Sequence, residues 1–160
     1  MKIFSTVFAL FLSAEVALGA KKTGSLRKLQ SSTACTDFTL YGEGSAPNST
    51  PLAAGEIVTA VIPLFSDDSL TTEVAEWEFY CTGLGTDQDP AGGQICTSIF
   101  AIEGGESEGQ MTGTSVYDAG EPEMDVVVTG GIGDYLDASG GVVVTYGDGT
   151  YTVAFSVSCA

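Results

Sequence analysis

From Leu29 to its last residue the chain carries twenty carboxylates and not one Lys, Arg or His. Any chemistry in this stretch rests on Asp, Glu, Tyr, Ser, Thr, Cys, backbone groups or a bound ion. Without imidazole there is no Ser-His-Asp or Cys-His nucleophile. Without Lys there is no Schiff base, and without Arg no bidentate clamp on a carboxylate. Phosphates have nothing to neutralise them, which excludes nucleic acid as a partner and disfavours an anionic membrane surface. The five basic residues, Lys2, Lys21, Lys22, Arg27 and Lys28, all precede this body.

The acids form several small groups. Asp134 and Asp137 flank Tyr135, and Glu121, Glu123 and Asp125 make a second set. Oxygen ligands of this kind suit Ca²⁺, but neither set follows the spacing of an EF-hand loop, so they are taken as solvated acids. No metal site and no cofactor is assigned. Glu76 and Glu78 alternate with Trp77 and Phe79, and burying the aromatic face is the cheaper choice, which leaves the glutamates outside. Trp77, Phe79, Phe100, Tyr117 and Phe155 are the candidate lining of an interior.

The four cysteines, Cys35, Cys81, Cys96 and Cys159, are read together with the N-terminus. Residues 1–20 have a signal peptide's layout. Lys2 is followed by the apolar run Ile3 to Leu12 and by small residues at Ala17, Gly19 and Ala20. That run is too short to span a bilayer comfortably, and no later run approaches the needed length. Export makes two disulfides the expectation, with three pairings possible. Cys81 and Cys96 flank a Gly/Asp-rich loop and suit a hairpin staple, whereas Cys35 and Cys159 can meet only if the first and last strands do. Residues 21–34, polar and basic, read as a linker or propeptide, and Asn48-Ser49-Thr50 fits a glycosylation acceptor.

The elements that must position these groups are strands. Tyr151, Val153, Phe155, Val157 and Cys159 alternate with small polar or Ala residues, and Ala75 to Cys81 and Met124 to Val128 repeat the period of two. About eight strands are predicted near 35–41, 56–65, 73–82, 94–102, 107–116, 123–129, 138–146 and 150–159. Turns are expected at Ser66-Asp67-Asp68, Gly104-Gly105, Gly130-Gly131-Ile132-Gly133 and Gly147-Asp148-Gly149. A single domain over 35–160 follows, an all-β, eight-stranded antiparallel barrel, either filled or holding one small ligand.

An ordered set of motifs resembles the allene oxide cyclase-like barrel family, related in fold to the dirigent proteins. They are Gly55-Glu56-Ile57-Val58 with Pro63-Leu64-Phe65-Ser66, then Phe79-Tyr80-Cys81-Thr82, Cys96-Thr97-Ser98-Ile99-Phe100, and Val128 to Tyr135 followed by Ala138-Ser139-Gly140. The resemblance implies an eight-stranded barrel with an apolar cavity, often oligomeric, so a homo-oligomer is an expectation. The plant cyclases open an epoxide with a first-strand carboxylate and an amide-held water. Thr39 and Tyr41 fall at those positions here, so both groups are missing, and dirigent members' basic residue has no counterpart. Candidate catalytic groups reduce to Glu43, just beyond the first strand, and the phenol of Tyr117. The function these features imply is a secreted barrel, in the apoplast or cell wall. It would bind a small apolar molecule through Trp77, Phe79, Phe100 and Phe155 and steer its coupling or cyclisation by cavity shape. The alternatives are a non-catalytic acidic extracellular protein binding Ca²⁺, cell-wall matrix or mineral, and a lipocalin-like carrier.

Overall fold

β-branched and aromatic residues at every second position pack well on a pleated, half-buried surface, and eight such segments form in this chain. They are β1 (Phe38–Glu43), β2 (Ile57–Phe65), β3 (Glu73–Gly83), β4 (Gln94–Ile102), β5 (Gly109–Tyr117), β6 (Glu123–Gly133), β7 (Ser139–Gly147) and β8 (Thr150–Ser158). The structure is a computed structural model that describes residues 35–44, 51–85, 92–104 and 107–159. The expected leader at 1–20, the segment 21–34 and the expected acceptor Asn48 lie outside the described residues. Each strand pairs antiparallel with the next, and β8 returns to β1, giving a closed barrel. No helix among the described residues is long and apolar enough to cross a membrane.

Closure rests on β1 and β8, which pair from Phe38↔Phe155 to Glu43↔Thr150. The β1–β2 seam is shorter, with only Tyr41↔Phe65 and Gly42↔Leu64 in register. Both expected disulfides form. Cys35–Cys159 ties the start of the barrel to its end, with Cα atoms 5.6 Å apart, and Cys81–Cys96 joins directly opposed residues of β3 and β4. Cys81 and Cys96 are buried inside the barrel, whereas Cys35 and Cys159 are half-buried at its end.

The interior is a continuous core that includes Leu64, Trp77, Phe79, Phe100, Met111, Val126, Val142, Tyr151, Val153 and Phe155. Glu76 and Glu78 stand outside, as the alternation predicts, and the Glu78 carboxylate accepts the Tyr80 hydroxyl. Charge is confined mainly to the rims: β2, β4, β5, β7 and β8 contain no acidic residue. At the β2–β3 rim the Asp67 carboxylate accepts hydrogen bonds from Ser69 Oγ, from Thr71 N and Oγ1, and from Thr72 N. At the β7–β8 rim Asp148 (φ 52°) and Gly149 (φ 81°) make the two-residue turn whose twist matches the flanking strands.

One expected turn is displaced. Gly130-Gly131-Ile132-Gly133 is the last part of β6, not a connection, and the chain reverses over 134–138 instead. Gly131 and Gly133 are needed because backbone from β5 and the following turn crowds against them, beyond the register slip between Thr112 and Gly113. A Cβ at Gly131 would lie 2.3 Å from the Tyr135 carbonyl oxygen and 2.6 Å from that of Gln110.

Candidate functional site

One end of the lumen combines aromatic walls with buried polar groups. The inward positions of β4 and β5 supply it. Gln94 sits opposite Tyr117, Cys96 opposite Ser115, and Ser98 opposite Gly113. On the other side of β4, Gly83, Cys81 and Phe79 oppose Gln94, Cys96 and Ser98. Gln94, Ser98 and Ser115 are the buried polar side chains among the described residues, and no carboxylate joins them.

These groups differ in how they are satisfied. Trp77 Nε1 donates to Ser98 Oγ at 3.1 Å, which fixes the indole against β4. The Tyr117 hydroxyl donates to the Glu121 carbonyl oxygen at 2.7 Å, tying the lumen to the β5–β6 rim. Ser115 Oγ is buried and has no hydrogen-bond partner. A buried hydroxyl without a partner is costly in an apolar setting, so it marks a place where a further polar atom is favoured.

The aromatic side chains run along the lumen in contact. Tyr146 lies 5.1 Å from Tyr151, Tyr151 meets Trp77 edge-on at 5.7 Å, and Trp77 lies 4.9 Å from Phe79 and 6.0 Å from Phe100. Phe155 continues the series edge-on to Phe100 at 5.1 Å and stacks on Phe38 at 4.3 Å. Burial pushes the Tyr151 phenol above its ordinary value, with the neighbouring Tyr146 and Tyr117 phenols adding to the shift. Burial likewise raises Tyr117, more than its backbone hydrogen bond lowers it. Phenols held neutral in this way donate and accept hydrogen bonds near neutral pH but are not bases there. The lumen can therefore bind and orient a molecule through shape, stacking and hydroxyl groups.

The residues singled out in the sequence fall into two places. Trp77, Phe79, Phe100 and Phe155 all point inward and are brought together by the aromatic series. Trp77 and Phe100 are 0% exposed, so no water-sized space touches either side chain. Ser115 and Tyr117 are nearly as closed, each with 5% exposure, so side chains fill the lumen at both levels. Glu43 stands elsewhere: it is exposed on the outer side at the end of β1, next to inward-facing Gly42. The sequence reading missed Gln94, Ser98, Ser115, Tyr146 and Tyr151. Alternation held a signal for Ser115, since it shares the period of Met111 and Tyr117 on β5.

Outside the barrel, Glu73, Glu76 and Glu103 border an open cleft of about 270 Å³ with Val74, Ala75 and Gly104. Among the described residues no three acids or cysteines stand close enough to hold a metal ion. Comparison with known proteins finds no matching family model and no matching curated protein. Solved structures do share the architecture. A chain named pyocyanin demethylase is similar with a TM-score of 0.53 and 16% identity, covering 75% of this chain and 100% of its own length. That likeness is one of fold: a barrel built on a different sequence.

Proposed function

We propose that this protein is an exported, disulfide-stapled barrel that binds a small apolar molecule at the polar end of its lumen and orients it, without acid–base chemistry of its own. The carrying observation is Ser115 Oγ, buried without a partner inside a mainly aromatic and aliphatic lumen. A ligand with one hydrogen-bonding group and an apolar body satisfies that hydroxyl once the closely packed side chains around it part to admit it. The family resemblance supports the same function, with product control by cavity shape in the manner of cyclase-like and dirigent-like barrels. Pyocyanin demethylase, by its name, also acts on a particular molecule, so a shared barrel serving small-molecule recognition is consistent with that neighbour. The two disulfides suit an extracellular setting.

Native mass spectrometry of the protein from its own secretion medium tests this. An organic adduct that leaves on denaturation, and that is lost in Ser115→Ala, supports lumen binding. A bare protein, or one carrying only Ca²⁺, refutes it and favours the acidic-surface alternative.

A further inference from the structure

A second surface lies on the outer wall, apart from the lumen. The outward residues Ile57, Thr82, Ile95 and Val116 are direct cross-strand neighbours over β2 to β5. Ile57 is 65% exposed, Ile95 47% and Val116 72%. The next outward rung holds Tyr80, Thr97, Thr114 and Val127, again in direct register, with Val127 61% exposed. Strands about 4.8 Å apart make the first row roughly 14 Å long. Single exposed apolar residues need no explanation, but a contiguous set on adjacent strands marks a contact surface.

What borders the patch has one sign. Glu56 precedes Ile57, Asp118 follows Val116 by two residues, and Asp125 shares the outward face with Val127. Glu78 lies one outward position from Tyr80 and bonds its hydroxyl. The body has no Lys, Arg or His, so a second copy of it brings only further carboxylates to this rim. Like charges placed opposite one another oppose such a pairing, whereas Lys or Arg opposite them favours association.

We infer that the outer wall around Ile57, Ile95 and Val116 docks a cationic amphipathic polypeptide, its apolar side chains on the patch and its Lys or Arg on the acidic border. Apolar centre and charged rim are the ordinary anatomy of a protein contact, and here the rim selects the partner's charge.

The test uses the full secreted protein and two labelled peptides of equal charge, one alternating Lys with Val and one alternating Lys with Ser. Fluorescence anisotropy is expected to show one Lys-Val peptide per barrel, bound about tenfold tighter than Lys-Ser. Ile95→Thr combined with Val116→Thr, which keeps β-branched residues on the wall, should bring Lys-Val down to the Lys-Ser level. Amide shift mapping on the unsubstituted protein should place the peptide over β2 to β6, and this readout stands even if the double variant folds poorly. Equal affinity for both peptides, or shifts scattered over both rims, overturns the proposal in favour of diffuse charge attraction. So does sedimentation showing a self-associated protein that the double variant renders monomeric, since the wall is then occupied by a second copy.

Discussion

Replacing Ser115 by Ala should stabilise the ligand-free barrel, which is unusual for a change inside a core. The Ser115 hydroxyl is buried and has no hydrogen-bond partner, so folding strips its water without compensation. Leaving such a group unsatisfied costs about 1–3 kcal/mol. Removing one oxygen forfeits only the few dispersion contacts of a single atom, each about 0.1–0.2 kcal/mol. The balance is a gain of about 1 kcal/mol, which in a domain of this size raises Tm by roughly 3–6 °C. Urea denaturation followed by Trp77 fluorescence measures it: the midpoint should rise while the slope stays constant. A loss of about 1 kcal/mol or more would show that the hydroxyl is bonded in solution, and the inference of a polar anchor for a ligand would fall with it. Because the same hydroxyl is assigned to ligand binding, the more stable variant should retain less ligand, the trade expected when a destabilised group serves a site.

Four further outcomes follow from named contacts. Ser98→Ala strands the buried Trp77 indole N–H, and should cost about 1–3 kcal/mol in urea denaturation, opposite in sign to the Ser115 change. Phenols raised in the fold, Tyr117, Tyr135 and Tyr151 by burial and Tyr80 by its Glu78 bond, favour the native state below the unfolded phenol value of about 10. That stability should be lost as pH rises through the folded values, seen as phenolate absorbance that appears together with unfolding. Melting temperature should rise with added salt, because a body of carboxylates alone repels itself; a fall on adding salt would contradict this. Mild reductant followed by alkylation and peptide mapping should label Cys35 and Cys159 before Cys81 and Cys96, which are 1% and 0% exposed.

Much of the barrel was legible because period two is a strong signal when one face of each strand is buried. Tyr151 to Val157 shows why: each large residue is inside, and each Thr or Ser is outside or at the edge. Strand ends were also close, since turn residues such as Asp148-Gly149 need conformations that few other residues adopt. Gly130 to Gly133 misled for a physical reason. Glycine clusters serve both turns and backbone crowding, and only the partner strand's register decides which applies. The polar end of the lumen was obscured for a related reason. Ser98 and Ser115 look like solvent-side residues by type, while Phe100 and Met111 on the same faces place them inside. Whether a buried hydroxyl has a partner depends on residues tens of positions away, as for Trp77 and Ser98, and no local pattern carries that.

The bond between Cys35 and Cys159, with the β1–β8 ladder beside it, makes the barrel a ring in covalent terms as well as in hydrogen bonding. A ring has no first strand, so the order in which the strands are synthesised is a matter of history rather than of thermodynamics. A circular permutant that joins the two ends through a short peptide and opens at the Asp148–Gly149 turn should therefore reach the same barrel. It should reach it no faster, because β1–β8 becomes a hairpin while the longer β7–β8 ladder becomes the most distant pairing along the chain. The joining peptide takes over the tether that Cys35–Cys159 supplies, so reducing that disulfide should destabilise the permutant less than the natural chain.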